Sequence, residues 1–308
     1  MWILFAALAA LFAGATSILA KMGLKNTDSN VVTAIRTAVV LVFAWLMVLV
    51  VGSGSEIHDI SGKCLFFLVA SGLATGASWL CYFKALNLGD VNKVTPVDKT
   101  STVLSMIFAI TFLHEPLTFF KFISMILIAV GTYLMIERKR DKSQPNEEMQ
   151  TGAGEKHNKN SSQSSKSGKS SSWLFFASLS AIFAAVTSIL GKIGVEEVDA
   201  TLGTAIRTIV ILIMAWIVVF VTGKQSEVRK VDKKTFFVIC ASGITTGASW
   251  LCYFTALRDG QASIVVPIDK LSIIVTVAFS YFILKEKVTV KSLAGLGFIT
   301  AGTLLLLV

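Results

Sequence analysis

Charge is what this chain of 308 residues has least of: Asp, Glu, Lys and Arg make up 15% of it, against roughly 25% in an ordinary soluble domain. So little charge cannot cover a surface meant for water, and at a mean hydropathy of +0.72 most of the exterior has to face lipid. Histidine is rarer still, with His58, His114 and His157 sharing no ligand spacing. The four cysteines, Cys64, Cys81, Cys240 and Cys252, contain no C-x-x-C pair. These shortages exclude a disulfide framework, a zinc site and a thiol redox centre, so the cysteines read as small apolar packing residues; no metal or cofactor is expected. The net charge of +9 would suggest nucleic acid in a soluble protein. Here the basic residues lie between hydrophobic runs, where they report membrane orientation instead, and no nucleic-acid partner is expected.

What is present is a sequence that contains itself twice. Thr33-Ala34-Ile35-Arg36-Thr37 recurs as Thr204-Ala205-Ile206-Arg207-Thr208, and the nine residues from Thr75 to Phe83 recur from Thr246 to Phe254, both at an offset of 171. The same offset carries Trp2 to Trp173, Lys21 to Lys192, Pro96 to Pro267, Asp98-Lys99 to Asp269-Lys270, and Glu115 to Glu286. Residues 1–137 and 172–308 therefore align without a gap as a tandem duplication. Between them, residues 138–171 are rich in Ser, Lys, Asn, Gln and Glu, which cannot bury enough apolar surface to offset ordering entropy. This segment reads as a disordered polar tether.

Each half shows five apolar runs near the length of about 20 residues that crosses a hydrocarbon core. They fall at roughly 2–20, 31–51, 64–84, 94–113 and 117–136, and again at 173–191, 202–222, 235–255, 264–284 and 289–308. The expectation is an all-α membrane protein of ten transmembrane helices. The first run lacks a basic leader and is copied in mid-chain, so it is structure rather than a cleaved signal. Five spans per half place the tether and the N-terminus on opposite sides, which makes the repeat a 5+5 inverted-topology pair. With the tether cytoplasmic, inner segments hold 20 Lys+Arg and outer ones 4. That bias predicts both termini outside. Inverted repeats are a recurring design of secondary transporters, whose halves rock against each other.

Apart from Lys84, Lys121 and Lys291 near run ends, counted with the segments, six ionisable residues lie inside the runs: Arg36, Asp98, Lys99, Arg207, Asp269 and Lys270. Intramembrane charge costs at least ~2.5 kcal/mol per residue even on a lenient scale, so such residues mark function or buried pairs. Each half carries one net positive charge, which suits a substrate with a carboxylate or phosphate. In this reading Arg36, Asp98 and Lys99 belong to an inner vestibule and Arg207, Asp269 and Lys270 to an outer one, with each Asp as partner of its Arg or as proton acceptor. Pro96 and Pro267, two residues before the Asp, predict a broken or kinked helix that offers dipole ends to a ligand. The small residues Gly72 and Gly76, copied as Gly243 and Gly247, predict close helix packing. Trp79, Tyr82, Trp250 and Tyr253, one turn on, read as cavity lining or as an aromatic belt. Glu115, before Pro116, reads as a cap on the helix that follows.

Pro-x-Asp-Lys-x-Ser at Pro96–Ser101 and Pro267–Ser272, the apolar span ending Leu113-His114-Glu115 or Leu284-Lys285-Glu286, and the block Thr-Gly-Ala-Ser-Trp-Leu-Cys-Tyr-Phe together resemble the EamA type of the drug/metabolite transporter superfamily. The resemblance covers both halves and is closest to small single-domain members of about 140 residues, here fused so that antiparallel halves pair within one chain. It implies a carrier, not an enzyme, with a cavity between the halves, moving a small solute across the bilayer, often outward. The expected substrate is a polar metabolite, anionic or zwitterionic, such as an amino acid; a flippase for a lipid-linked substrate is the alternative, ahead of an integral-membrane enzyme or a channel. The resemblance leaves the coupling ion open, the proton included. A prokaryotic inner membrane is the expected location.

Overall fold

The structure, a computed structural model, describes residues 1–23, 27–88, 94, 97–135, 167–282 and 289–307. In the first half the helices are α1 (Trp2–Gly23), α2 (Ser29–Val51), α3 (Gly62–Leu88), α4 (Ser101–Phe112) and α5 (Phe119–Leu134). The second half holds α6 (Ser167–Gly194), α7 (Ala200–Val221), α8 (Lys233–Asp259), α9 (Ala262–Lys270), α10 (Ser272–Phe282) and α11 (Val290–Leu305). Among the described residues there is no strand, and this is an all-α membrane protein. Among the described residues, seven helical stretches are long and apolar enough to cross a bilayer: α1, α2, α3, α6, α7, α8 and Ala262–Phe279. The remaining expected spans, 94–113, 117–136 and 289–308, are represented by shorter apolar helices, α5 and α11 having 16 residues each. Of the expected tether, residues 138–166 lie outside the described residues, and α6 starts within it at Ser167.

The duplication extends to the helix ends. Asp28 caps α2 through the Asn30 N–H at 2.9 Å, and its copy Asp199 caps α7 through the Thr201 N–H at 2.9 Å. Thr118 accepts from the Lys121 N–H and its copy Thr289 from the Ser292 N–H, each at 3.3 Å. Each cap satisfies an orphan donor of a first turn. After α2 and α7 the chain turns at Gly52 and Gly223, with φ of 79° and 68°, a left-handed conformation that glycine adopts without steric cost.

Glu115 departs from expectation. Thr118 caps the helix that follows it, whereas His114, at φ 52°, reverses the chain after α4 and sets the Glu115 carboxylate against the start of α9, where it accepts from the Ala262 N–H at 2.6 Å. Its copy Glu286 lies outside the described residues.

The helices pack mainly across the halves, and the contacts come in copies. The pairing of α1 with α8 repeats as α6 with α3, and that of α2 with α8 as α7 with α3; α2 meets α7, and α5 meets α11. The glycines explain the closeness. A Cβ on Gly72 would lie 2.8 Å from the Val210 side chain, and one on Gly243 would lie 2.6 Å from Val39; Val39 and Val210 are themselves copies. At α5–α11, Gly131 sits 2.7 Å by the same measure from the Gly295 carbonyl. In lipid, where apolar surface gains nothing by leaving its solvent, such van der Waals packing carries association. The outward faces stay apolar, as at Leu49, Phe119 and Phe237.

Candidate functional site

Helix α7 carries Arg207 two turns below its cap, where it packs closely on α3: the Arg207 carbonyl is among the atoms that a Cβ on Gly72 would meet. The side chain is 2% exposed. One terminal nitrogen donates to Thr75 Oγ1 at 3.1 Å. The guanidinium carbon lies 4.1 Å from the Phe254 ring centroid and 5.6 Å from that of Trp250, while Nε is buried without a hydrogen-bond partner. Gly191 makes room for this cage, since a Cβ there would meet the Phe254 ring at 2.6 Å. Tyr253 packs edge-on to Phe254 and donates its hydroxyl to Ser188 at 3.1 Å. A desolvated cation over an aromatic face gains about 2 kcal/mol or more, so rings and a hydroxyl hold this charge, with no carboxylate paired to it among the described residues. The buried Nε–H remains as a donor for an incoming acceptor.

The copy, Arg36, is half-buried, and among the described residues no hydrogen bond, ion pair or ring contact reaches it. Trp79 packs instead with Val31, Ala34, Ala215 and Val219, and Tyr82 with Ala85, Val94 and Ala177. The four aromatic candidates thus behave differently by half: Trp250 and Tyr253 stand with Arg207, while Trp79 and Tyr82 stand in packing clusters.

The helix expected to break at the Asp-Lys pair does so in the second half. Here α9, with Pro267 inside it, ends at Lys270, and α10 begins at Ser272; the Leu271 N–H turns back to the Ile268 carbonyl at 2.9 Å. In the first half Thr100 sits at the corresponding joint, its N–H and hydroxyl both donating to the Val97 carbonyl, at 3.1 and 2.6 Å. Pro96 lies outside the described residues.

Asp98 accepts from Ser180 Oγ on α6 at 3.0 Å, and Asp269 pairs with its neighbour Lys270 at 3.6 Å. The Arg–Asp pairs expected between helices are therefore not formed among the described residues: each Asp finds a nearer donor. Lys99 is exposed.

Thr75, Phe254, Ser180, Ser188 and Gly191 were not singled out as site residues. Thr75 and Phe254 lie in the copied nine-residue block, and Ser180 and Gly191 are positions where the copies differ, with Ala9 and Ala20 in the first half.

A family model described as the EamA-like transporter family matches residues 1–137 and again 171–308. The chain belongs to that family. An EamA-like chain is a membrane transporter, and this one is a multi-pass member. It is 43% identical over 139 residues to an uncharacterized transporter in the cobO 3' region of a Sinorhizobium species, a match covering 45% of this chain and 99% of that one. It is also 35% identical over 102 residues to an uncharacterized protein of Methanocaldococcus jannaschii, covering 30% of this chain and 73% of the relative. A solved crystal structure superposes over 99% of this chain and 96% of its own with a TM-score of 0.77 at 13% identity, a likeness of fold alone.

Proposed function

We propose that this EamA-like transporter is a secondary carrier working by alternating access between two inverted five-helix halves, 1–137 and 172–308. In this reading a cytoplasmic tether at 138–171 joins the halves, and both termini lie outside a prokaryotic plasma membrane. Its substrate is a small polar metabolite bearing a carboxylate or phosphate, such as an amino acid, moved outward. Arg36 and Arg207 anchor the anionic group in turn, with Asp98, Lys99, Asp269 and Lys270 at the helix breaks completing the path.

One observation carries this reading: the same arginine at copied positions stands in two states. Arg207 is sealed among rings with Nε open, and Arg36 is half-buried with no ring contact among the described residues. A carrier closed toward one side and open toward the other requires that inequality. The unpartnered, buried Nε favours an anion over a cation, because a buried donor left unmade costs ~1–3 kcal/mol that a carboxylate oxygen recovers.

The test is a thermal-shift screen of the purified chain against amino acids, organic acids, phosphates, sugars, polyamines and lipids, since a ligand of the native state raises its apparent stability. Stabilisation by an anion or zwitterion, lost in the Arg36→Gln/Arg207→Gln chain, is expected. Stabilisation by polyamines alone would overturn the anionic reading in favour of the Asp residues, and stabilisation by lipid alone would favour a flippase.

A further inference from the structure

One end of the molecule is clasped shut by charged side chains that the candidate site does not use. There α8 ends and α9 begins at a tight turn, Arg258–Gln261. Glu115 from the first half takes the exposed donors of α9: Ala262 N–H at 2.6 Å, Ser263 N–H at 3.0 Å, and the Ser263 hydroxyl. Lys121, also from the first half, donates to Gln261 Oε1 at 2.7 Å and stands 3.9 Å from the Glu115 carboxylate, both side chains nearly buried at 5% and 8% exposure. Lys192 of α6 takes the acceptors of α8, donating to the carbonyls of Leu257 at 2.6 Å and Gly260 at 2.7 Å. Finally, Trp2 of α1 lies against Gly260, at 2.9 Å from where a Cβ would stand.

A carboxylate on a helix start and an ammonium on a helix end are each the favourable sign for the dipole they meet. The turn is therefore held from both sides, and the hold on α9 spans the two halves. Beneath it lies an apolar cluster built from both halves, including Ala6, Leu68, Ala109, Ile189, Leu257 and Val265, and adjoining Trp250 and Tyr253 of the Arg207 cage. Above it, a cleft of about 250 Å³ lined by Glu115, Lys192, Glu196 and Asp259 among others brings water up to the clasp.

We infer that the Glu115 clasp is the gate on the Arg207 face: it holds that face closed and must release α9 whenever Arg207 is to meet the solution on that side. The inference rests on the alternating-access reading. In the proposed orientation the face is the outer one. The sequence makes the device one-sided, because the positions that correspond to Lys121, Gln261 and Ser263 at the other end are Ser292, Asp90 and Asn92. The copied positions therefore do not supply the same lysine–glutamate–glutamine set.

The experiment uses the full chain in membrane vesicles, with Cys64, Cys81, Cys240 and Cys252 replaced by alanine. Two single reporters are labelled with a membrane-impermeant maleimide: Val265→Cys, buried one turn beneath the clasp, and Thr100→Cys, at the exposed joint beside Lys99. Right-side-out vesicles expose the Val265 side and inverted vesicles the other. Glu115→Gln keeps the size of the side chain and removes its charge. It is expected to speed labelling of the Val265→Cys thiol roughly tenfold, as loss of a charge-assisted bond implies, with a matching slowdown at Thr100→Cys. Ser263→Ala removes only one donor and is expected to give a change about a third as large in the same direction; it serves if Glu115→Gln fails to insert. Faster labelling at Val265→Cys with none lost at Thr100→Cys would keep the gate and overturn alternating access. Unchanged labelling in both variants, with unchanged melting, would reduce Glu115 to a helix cap and overturn the gate while leaving the carrier reading untouched.

Discussion

The first and second halves place identical residues in unlike surroundings, and the contrast is sharpest around Arg36 and Arg207. Thr75 and its copy Thr246 make the same two bonds, to Ser71 and Thr187 in one half and to Ser242 and Thr16 in the other, but Thr75 accepts a further one from Arg207. Tyr253 reaches Ser188, whereas Ser17, the copy of Ser188, turns back to the Ala13 carbonyl of its own helix. Two sources of this inequality can be told apart. One is conformational, since the residues agree and only their neighbours differ. The other is written into the chain: Gly191 admits the Phe254 ring where the first half has Ala20, and Ser180 holds Asp98 where the first half has Ala9. A molecule with exact internal symmetry would visit mirror-related states with equal ease. This one carries a difference at Gly191, which makes room for the cage, and another at Ser180, which holds Asp98, so its two halves are not interchangeable.

The largest expected effect comes from removing each arginine in turn. Arg207→Met is expected to lower transport in proteoliposomes roughly a hundredfold, the loss of a charge-assisted anchor. Its melting temperature is expected to hold or rise, because replacing a buried, uncompensated charge by an apolar side chain of similar size is neutral or stabilising by ~1–4 kcal/mol. Arg36→Met is expected to match it in transport and to change stability by no more than about 0.5 kcal/mol, as for a partly exposed site. A marked drop in melting for Arg207→Met would show that the cage is there for folding, and the comparison between the halves would lose its functional meaning.

How much of this was legible without coordinates follows from which interactions are local. The 171-residue repeat, the apolar runs and the break at the Asp-Lys pair depend on spacing along one chain, and spacing is what a sequence displays. The cage around Arg207 depends on α3, α6 and α8 meeting α7. Periodicity shows that a helix has a buried face and is silent about which partner fills it. Glu115 is the clearest instance. Before Pro116 it has every local mark of a cap, and it is one, but the left-handed His114 delivers it to a helix start 147 residues away. Asp98 and Asp269 were paired with the arginines because the sign of charge invites it. Ser180 and Lys270 lie nearer, and a desolvated carboxylate takes the closest good donor.

The next largest effect separates the two sources of asymmetry. Gly191→Ala puts a methyl 2.6 Å from the Phe254 ring, closer than carbon atoms approach, so the ring must leave the guanidinium or the helices must part. Overpacking of this kind costs ~1–3 kcal/mol, read as a lower melting temperature. The reverse change, Ala20→Gly, removes a clash-free methyl and is expected to cost only the helix propensity of ~0.5–1 kcal/mol without building a cage on Arg36. If Gly191→Ala leaves both melting and transport unchanged, the inequality of the halves is conformational alone and the sequence difference is incidental.

The smallest effect lies at the helix starts, where the copies differ in whether their cap can titrate. Ser61 accepts from the Cys64 N–H at 3.2 Å at the start of α3, and at the copied position Asp232 accepts from the Thr235 N–H at 3.1 Å at the start of α8. Hydrogen bonds from Thr235, first its side chain and then its backbone, hold the Asp232 carboxyl below its usual value. A depressed carboxylate contributes its stability above the unfolded value, near 4 for aspartate, and loses it as pH falls through the folded one. Acidification below about pH 4 should therefore fray the first turn of α8 and spare that of α3, seen by hydrogen exchange as a severalfold faster Thr235 amide with the Cys64 amide unchanged relative to its own intrinsic rate. Asp232→Ser should make the two starts respond alike. Equal fraying of both turns in the unaltered chain would mean that acid acts on the whole bundle and that the difference between these two caps has no consequence of its own.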